Sequence, residues 1–182
     1  MRKYLSFITF FLLLSGCFQN PTDSENSSIG KNKTNRKSNA NYCDCDVIHR
    51  DDGTDVTQCF SFPVAKDNSL ELGLAIASNG QDYFVTVTIR YYAKAMKITD
   101  DLHIRLKDNS MITFDLVNEG LSYIGNDQVA QGVFSLDRLK IQKLKSSELM
   151  TISIKLEDNL IHTLECTKNL PVLKEQLLCI SH

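Results

Sequence analysis

Tryptophan is missing from the chain, which disfavours a carbohydrate platform built on flat indole rings. The short motifs that mark common chemistries are missing as well. There is no Gly-x-Ser-x-Gly, no His-Glu-x-x-His, no P-loop and no Gly-x-Gly-x-x-Gly. Carboxylates are plentiful but scattered, and no two stand out as the acid and base of a glycosidase. Cys-x-x-Cys, the spacing of redox-active pairs, does not occur. No uncharged apolar run reaches the ~20 residues that a transmembrane helix needs. Positive charge is scarce where the chain looks globular. Residues 42–182 carry 14 Lys plus Arg against 20 Asp plus Glu, a net of −6. That balance opposes a phosphate-binding face, and with it a nucleic-acid partner. No internal repeat at solenoid or propeller periods is visible.

The N-terminus is more informative. Arg2 and Lys3 form a short positive region, Leu5 to Leu14 is apolar and uncharged, and Ser15 and Gly16 precede Cys17. This is the three-part plan of a bacterial secretory signal. Leu14-Ser15-Gly16-Cys17 resembles the lipobox, in which the thiol takes a diacylglyceryl group and becomes the new N-terminus. The resemblance implies a signal peptide over 1–16, lipidation of Cys17, and a membrane partner reached through the anchor. Acyl chains hold because each buried CH₂ contributes about 0.8 kcal/mol. Phe18, rather than Asp, follows the lipobox cysteine and points to the outer membrane. Residues 18–41 are rich in Asn, Ser, Lys and Thr and nearly free of apolar side chains. Such a stretch cannot bury enough surface to offset the entropy of ordering it. It is expected to be a flexible tether spanning on the order of 27 Å, made mildly basic by Lys31, Lys33, Arg36 and Lys37.

From 42 to 182 the composition is that of a single β-rich domain large enough for a core. Period-two alternation dominates. Asn79-Gly80 predicts a two-residue hairpin turn that pairs Ile76 with Tyr83, Leu74 with Val85, Leu72 with Val87 and Leu70 with Ile89. Glu71, Thr86, Thr88 and Arg90 then fall on the opposite face. A second hairpin is expected around Asp108-Asn109-Ser110, with Leu102, Ile104 and Leu106 facing inward against Ile112, Phe114 and Leu116. A third turns at Glu157-Asp158-Asn159, sets Leu156 across from Leu160 and Ile152 across from Leu164, and leaves Asn159 left-handed. Two short helices are predicted. One is capped by Ser135, with Leu136, Leu139 or Lys140, and Leu144 along one side. The other is capped by Asn169, with Pro171 in its first turn and a stripe of Leu173, Leu177 and Ile180. The fold class is mainly β: an antiparallel β-sandwich or curled sheet with two short helices.

Five cysteines remain beyond Cys17: Cys43, Cys45, Cys59, Cys166 and Cys179. Outside the inner membrane they are expected to form disulfides. Cys43 or Cys45 would pair with Cys59 or with a C-terminal thiol. Cys166 and Cys179 could pair locally, or either could reach back to the N-terminal cluster. The odd count leaves one thiol over, and spacing does not fix the connectivity. The rival reading is a soft-metal site from Cys43, Cys45 and His49, with Asp46 as a further ligand. Asp51-Asp52-Gly53 lacks the EF-hand order and reads as a solvated turn.

His103 is placed on a polar strand face and His162 on a partly buried one. Tyr91 and Tyr92 point to opposite faces, so Tyr92, beside Arg90, is a candidate binding contact. The runs "DNSLELGLAIASNGQDYFVTVTIRYY" and "LKDNSMITFDLVNEGLSYIGNDQVAQGVFSL", with the close "LLCI", resemble uncharacterised lipoproteins of the Bacteroidota. Those pair a lipobox and polar tail with one β-rich domain ending in a Cys-hydrophobic tail. The resemblance implies an address and a fold class, and carries no activity to transfer. After Cys17, "FQNPTDSEN" lacks the compact acidic cluster that marks surface export in that phylum, which favours the periplasm-facing leaflet. The expectation is a non-enzymatic envelope lipoprotein that uses no cofactor beyond its covalent lipid and binds a protein or envelope partner. The alternatives are a periplasmic metal-binding protein using Cys43, Cys45 and His49, and a hydrolase with an unrecognised site.

Overall fold

The computed structural model describes residues 41–180. The leader, Cys17, the tether up to residue 40 and His182 lie outside the described residues. Among the described residues no helix is long and apolar enough to cross a membrane.

The chain forms eleven described strands and two described helices. They run β1 (Cys45–His49), β2 (Asp55–Cys59), β3 (Phe62–Lys66), β4 (Leu70–Ser78), β5 (Tyr83–Tyr91), β6 (Leu102–Leu106), β7 (Met111–Phe114), β8 (Leu116–Ile124), β9 (Asp127–Leu136), α1 (Arg138–Ser146), β10 (Leu149–Lys155), β11 (Ile161–Glu165) and α2 (Val172–Ile180). A seven-stranded sheet has the order β1-β2-β4-β5-β9-β8, with β3 sharing the β4 edge beside β2. A four-stranded sheet has the order β11-β10-β6-β7. Every pairing is antiparallel. The mainly β, curled architecture is therefore the one expected, and the larger sheet is strongly curled, like half a barrel.

One core lies between the sheets. Leu70, Leu72, Leu74 and Ile76 of β4 meet Val85, Val87 and Ile89 of β5, Ile104 and Leu106 of β6, Ile152 and Ile154 of β10, and Leu173 and Leu177 of α2. Two links hold the layers in place. The chain crosses from β7 to β8 through the single residue Asp115. On the other side, Ala65 pairs with Cys166 just beyond β11.

The β10–β11 turn matches its prediction. Ile152 pairs with Leu164, Leu156 N donates to Leu160 O, and Asn159 takes φ +63°. The other two hairpins slip by two residues. Leu74 pairs with Val87 and Ile76 with Val85, so Ser78 and Tyr83 close the ladder around Asn79–Asp82. The cause is the Asn79 side chain. Its Oδ1 accepts from Gln81 N and Asp82 N at 3.0 and 2.7 Å, a local turn that needs no positive φ at Asn79. Between β6 and β7, Ile104 pairs with Ile112, and Leu106 N donates to Ser110 O. The loop is Lys107-Asp108-Asn109, with Asn109 left-handed at φ +66°.

The α1 cap differs too. Asp137, not Ser135, accepts from Lys140 N at 2.9 Å. Ser135 belongs to β9 and bonds Asp115 through both its N–H and its hydroxyl. Leu144 is buried, while Leu139 is exposed. Asn169 precedes α2, but its side chain does not cap it. Its Nδ2 donates to Pro63 O at 2.7 Å, and its Oδ1 accepts from Tyr42 Oη at 3.1 Å.

The β4 edge has a gap where β2 ends and β3 begins. Gln176 of α2, fully buried, fills it. Its Oε1 accepts from Ile76 N, and its Nε2 donates to Phe60 O, both at 2.8 Å.

Candidate binding face and disulfide clamp

Cys45 and Cys59 face each other across β1 and β2 and form one disulfide; Cys43 and Cys179 form the other. Cys166 is the buried free thiol. Burial, reinforced by the Glu165 charge, pushes that thiol up to about 12, so it stays protonated and unreactive at neutral pH. Tyr42 strengthens the same clamp. Its ring stacks edge-on against Phe62 with centroids 5.0 Å apart, and its hydroxyl reaches Asn169. The first residues of the domain are thus fixed to its last helix.

These bonds correct the metal reading. Both sulfurs are bridged, so neither offers a thiolate. Cys45 and His49 occupy opposite ends of β1, roughly 13 Å apart along an extended strand. His49 instead bonds Asp55 at 2.7 Å in the open. Asp46 points to the face opposite Cys45. No group of three or more His, Cys, Asp or Glu side chains suited to a metal occurs among the described residues. Asp51–Gly53 is the β1–β2 turn, closed by Arg50 N to Thr54 O and opened to φ +78° at Gly53.

The histidines have ordinary partners. His103 Nδ1 lies 3.0 Å from Thr113 Oγ1 on the outward face of the smaller sheet. His162 Nε2 lies 2.9 Å from Asp158 Oδ2 in a half-buried pair. Tyr91 is in the core, with its hydroxyl donating to Met96 O at 2.9 Å. Burial, aided by the Asp158 charge, raises its pKa well above the usual range.

Arg90 and Tyr92 lie at one end of a larger feature, the face of the seven-stranded sheet turned away from the core. The register sets its side chains in rows across β4, β5, β9 and β8. They read Ala75–Thr86–Val133–Asn118, then Gly73–Thr88–Gln131–Gly120, then Glu71–Arg90–Val129–Ser122. Gln58 of β2 extends this face beside Ala77 and Phe84.

Exposure differs between the two sides of the sheet. On the core side, the outermost strands show Val47 and Tyr123 to solvent, at 53% and 62%. On the far side, Ala75, Ala77, Thr86, Thr88, Gln131 and Val133 are all buried. The core therefore stops short of the outermost strands, while the far face is closed to solvent over β4, β5 and β9. Gln58 Nε2 reaches across β4 to Thr86 Oγ1 at 3.4 Å.

The polar groups of this face are incompletely matched. Gln58 Oε1, Gln131 Oε1 and Ser61 Oγ are buried with no hydrogen-bond partner. Ser61 Oγ sits over Gly73, so close that a Cβ there would meet it at 2.6 Å. At the rim, Arg90 Nε is 3.3 Å from Asp127 Oδ2. Tyr92 is 48% exposed, and Lys66 Nζ stands 5.3 Å from its ring centroid.

The alternation of Thr86 and Thr88 was visible in the sequence and placed them on the face opposite the core, without showing their burial there. Gln58 and Gln131 gave no signal, because neither belongs to a motif. No family model matches the chain, and no curated protein or solved structure is significantly similar to it.

Proposed function

We propose that this chain is a lipid-anchored protein of the bacterial cell envelope whose β domain works by binding a protein or another envelope component, not by catalysis. Cys17 carries the lipid, residues 18–41 form the tether, and the domain faces the periplasm from the outer membrane. The observation that carries this reading is the pair of disulfides, Cys43–Cys179 and Cys45–Cys59. Bridged sulfurs of this kind persist in oxidising compartments, the destination that the leader and the Leu14-Ser15-Gly16-Cys17 sequence imply. The first bridge also supports a mechanical role for the anchor. A chain pulled at Cys17 transmits the load to Cys43, and from there directly to α2 rather than through the β1–β2 hairpin alone.

The reading is tested by Cys17→Ala. Native protein is expected in the membrane fraction with its leader removed. The variant is expected either as uncleaved precursor or as soluble protein. Equal membrane partition of the two forms would contradict the anchor.

A further inference from the structure

We propose that the Cys43–Cys179 bridge is a thiol-exchange site, opened by a protein dithiol, whose opening uncouples the root of the tether from α2. Cys45–Cys59 is then the purely structural bridge. The chemistry of the site stands on the folded domain alone; only its consequence for the anchor rests on the reading above. Three observations carry the proposal. The two bridges differ in access. Cys43 is exposed and Cys179 half-buried, whereas Cys59 is 1% exposed and lies opposite Cys45 between paired strands. Exposed disulfides are the labile ones, because exchange needs a thiolate to reach a sulfur. The bridges differ also in what survives their opening. Without Cys43–Cys179, α2 keeps Leu173 and Leu177 in the core and both amide bonds of Gln176. The β1 strand stays stapled to β2 through Cys45. Finally, Cys43 stands where residues 18–41 meet the domain. Closed, the bridge passes a pull from Cys17 to α2; open, it leaves that pull to the β1–β2 hairpin.

The partner is a protein with a reactive Cys-x-x-Cys dithiol, in which one thiol is already a thiolate near neutral pH. That thiolate attacks Cys43 Sγ, and the bond to Cys179 breaks. Cys179 leaves as a thiolate and takes a proton from water. Its Sγ lies 3.0 Å from Glu175 O, where the new S–H donates. The second thiol of the partner then displaces Cys43 from the mixed disulfide. The dithiol gives up two electrons and two protons, and Cys43 and Cys179 end as thiols.

The test uses mature, full-length protein in detergent at 25 °C, without denaturant, and dithiothreitol as the probe. Samples quenched with iodoacetamide at intervals are mapped by mass spectrometry. Cys43 and Cys179 should be labelled together, at least about tenfold faster than Cys45 and Cys59. A Cys-x-x-Cys protein lacking its second cysteine should be captured as a mixed disulfide at Cys43. In the species opened at this bridge alone, hydrogen exchange should rise in residues 42–44 and in the last turn of α2, and hold in β4 and β5. Equal labelling of the two bridges would mean that reduction follows global unfolding, and would overturn the proposal. So would capture at any other cysteine, or exchange in residues 42–44 and α2 that opening leaves unchanged. None of these results depends on Cys17→Ala, so the exchange site and the anchor stand or fall separately.

Discussion

Replacing Cys43 and Cys179 together by serine is expected to cost the domain about 5 kcal/mol. The figure follows from the loop that the bridge closes, 136 residues in sequence separation, through the entropy of the unfolded chain that a cross-link removes. The Cys45–Cys59 bridge closes only 14 residues and should contribute about 3 kcal/mol on the same basis. A domain of this size has roughly 5–15 kcal/mol of stability in all, so loss of the long bridge should leave it marginal at 37 °C. The double substitution also frees the first strand from α2, leaving Tyr42 held to Asn169 by one hydrogen bond. Urea unfolding of native and Cys43→Ser/Cys179→Ser protein, both without reductant, measures the difference. A loss below about 1 kcal/mol would mean that the bridge constrains little.

Gln176→Met is expected to destabilise the domain strongly although methionine preserves the packing. Methionine fits the space but can neither accept from Ile76 N nor donate to Phe60 O. Both groups would then be buried without partners at the gap between β2 and β3. Each such orphan costs about 1–3 kcal/mol, which gives about 3 kcal/mol together. The denaturant midpoint should fall while the slope stays the same. Hydrogen exchange of the Ile76 amide should accelerate more than that of Leu74, which lies within the β3–β4 ladder. Unchanged protection at Ile76 would show that the gap closes without the glutamine.

The two glutamines contrast. Gln176 is buried with both ends of its amide matched, and its loss should destabilise. Gln131 is buried with its oxygen unmatched, and its replacement should not.

Hairpin faces were legible in the sequence because side chains alternate with a period of two. A slip of two residues therefore keeps every side chain on its face. This is why Leu72, Leu74, Val85 and Val87 are in the core although their partners differ from those predicted. Register was legible only where the turn was read correctly. Leu106-Lys107-Asp108-Asn109 and Leu156-Glu157-Asp158-Asn159 share one pattern, and both asparagines are left-handed. Comparing the two runs would have placed the β6–β7 turn. Asn79-Gly80 misled because the asparagine side chain builds a longer turn on its own.

Other features were beyond local pattern. Alternation shows that Thr86 and Thr88 share a face, but not that this face is closed to solvent. The gap that Gln176 fills exists only because β2 and β3 divide the β4 edge between them. Disulfide partners follow from the folded positions of strands and helix: Cys43 found α2 because β1 runs beside β2 and α2 packs on β4.

Intact-mass analysis of the protein purified from cells, combined with thiol counting after unfolding, tests the account most directly. The expected species lacks residues 1–16 and carries acyl mass on Cys17. It is four hydrogens lighter than the reduced chain and yields one thiol, Cys166, only once denatured. An unacylated chain that retains its leader and titrates as five or more free thiols would contradict the account.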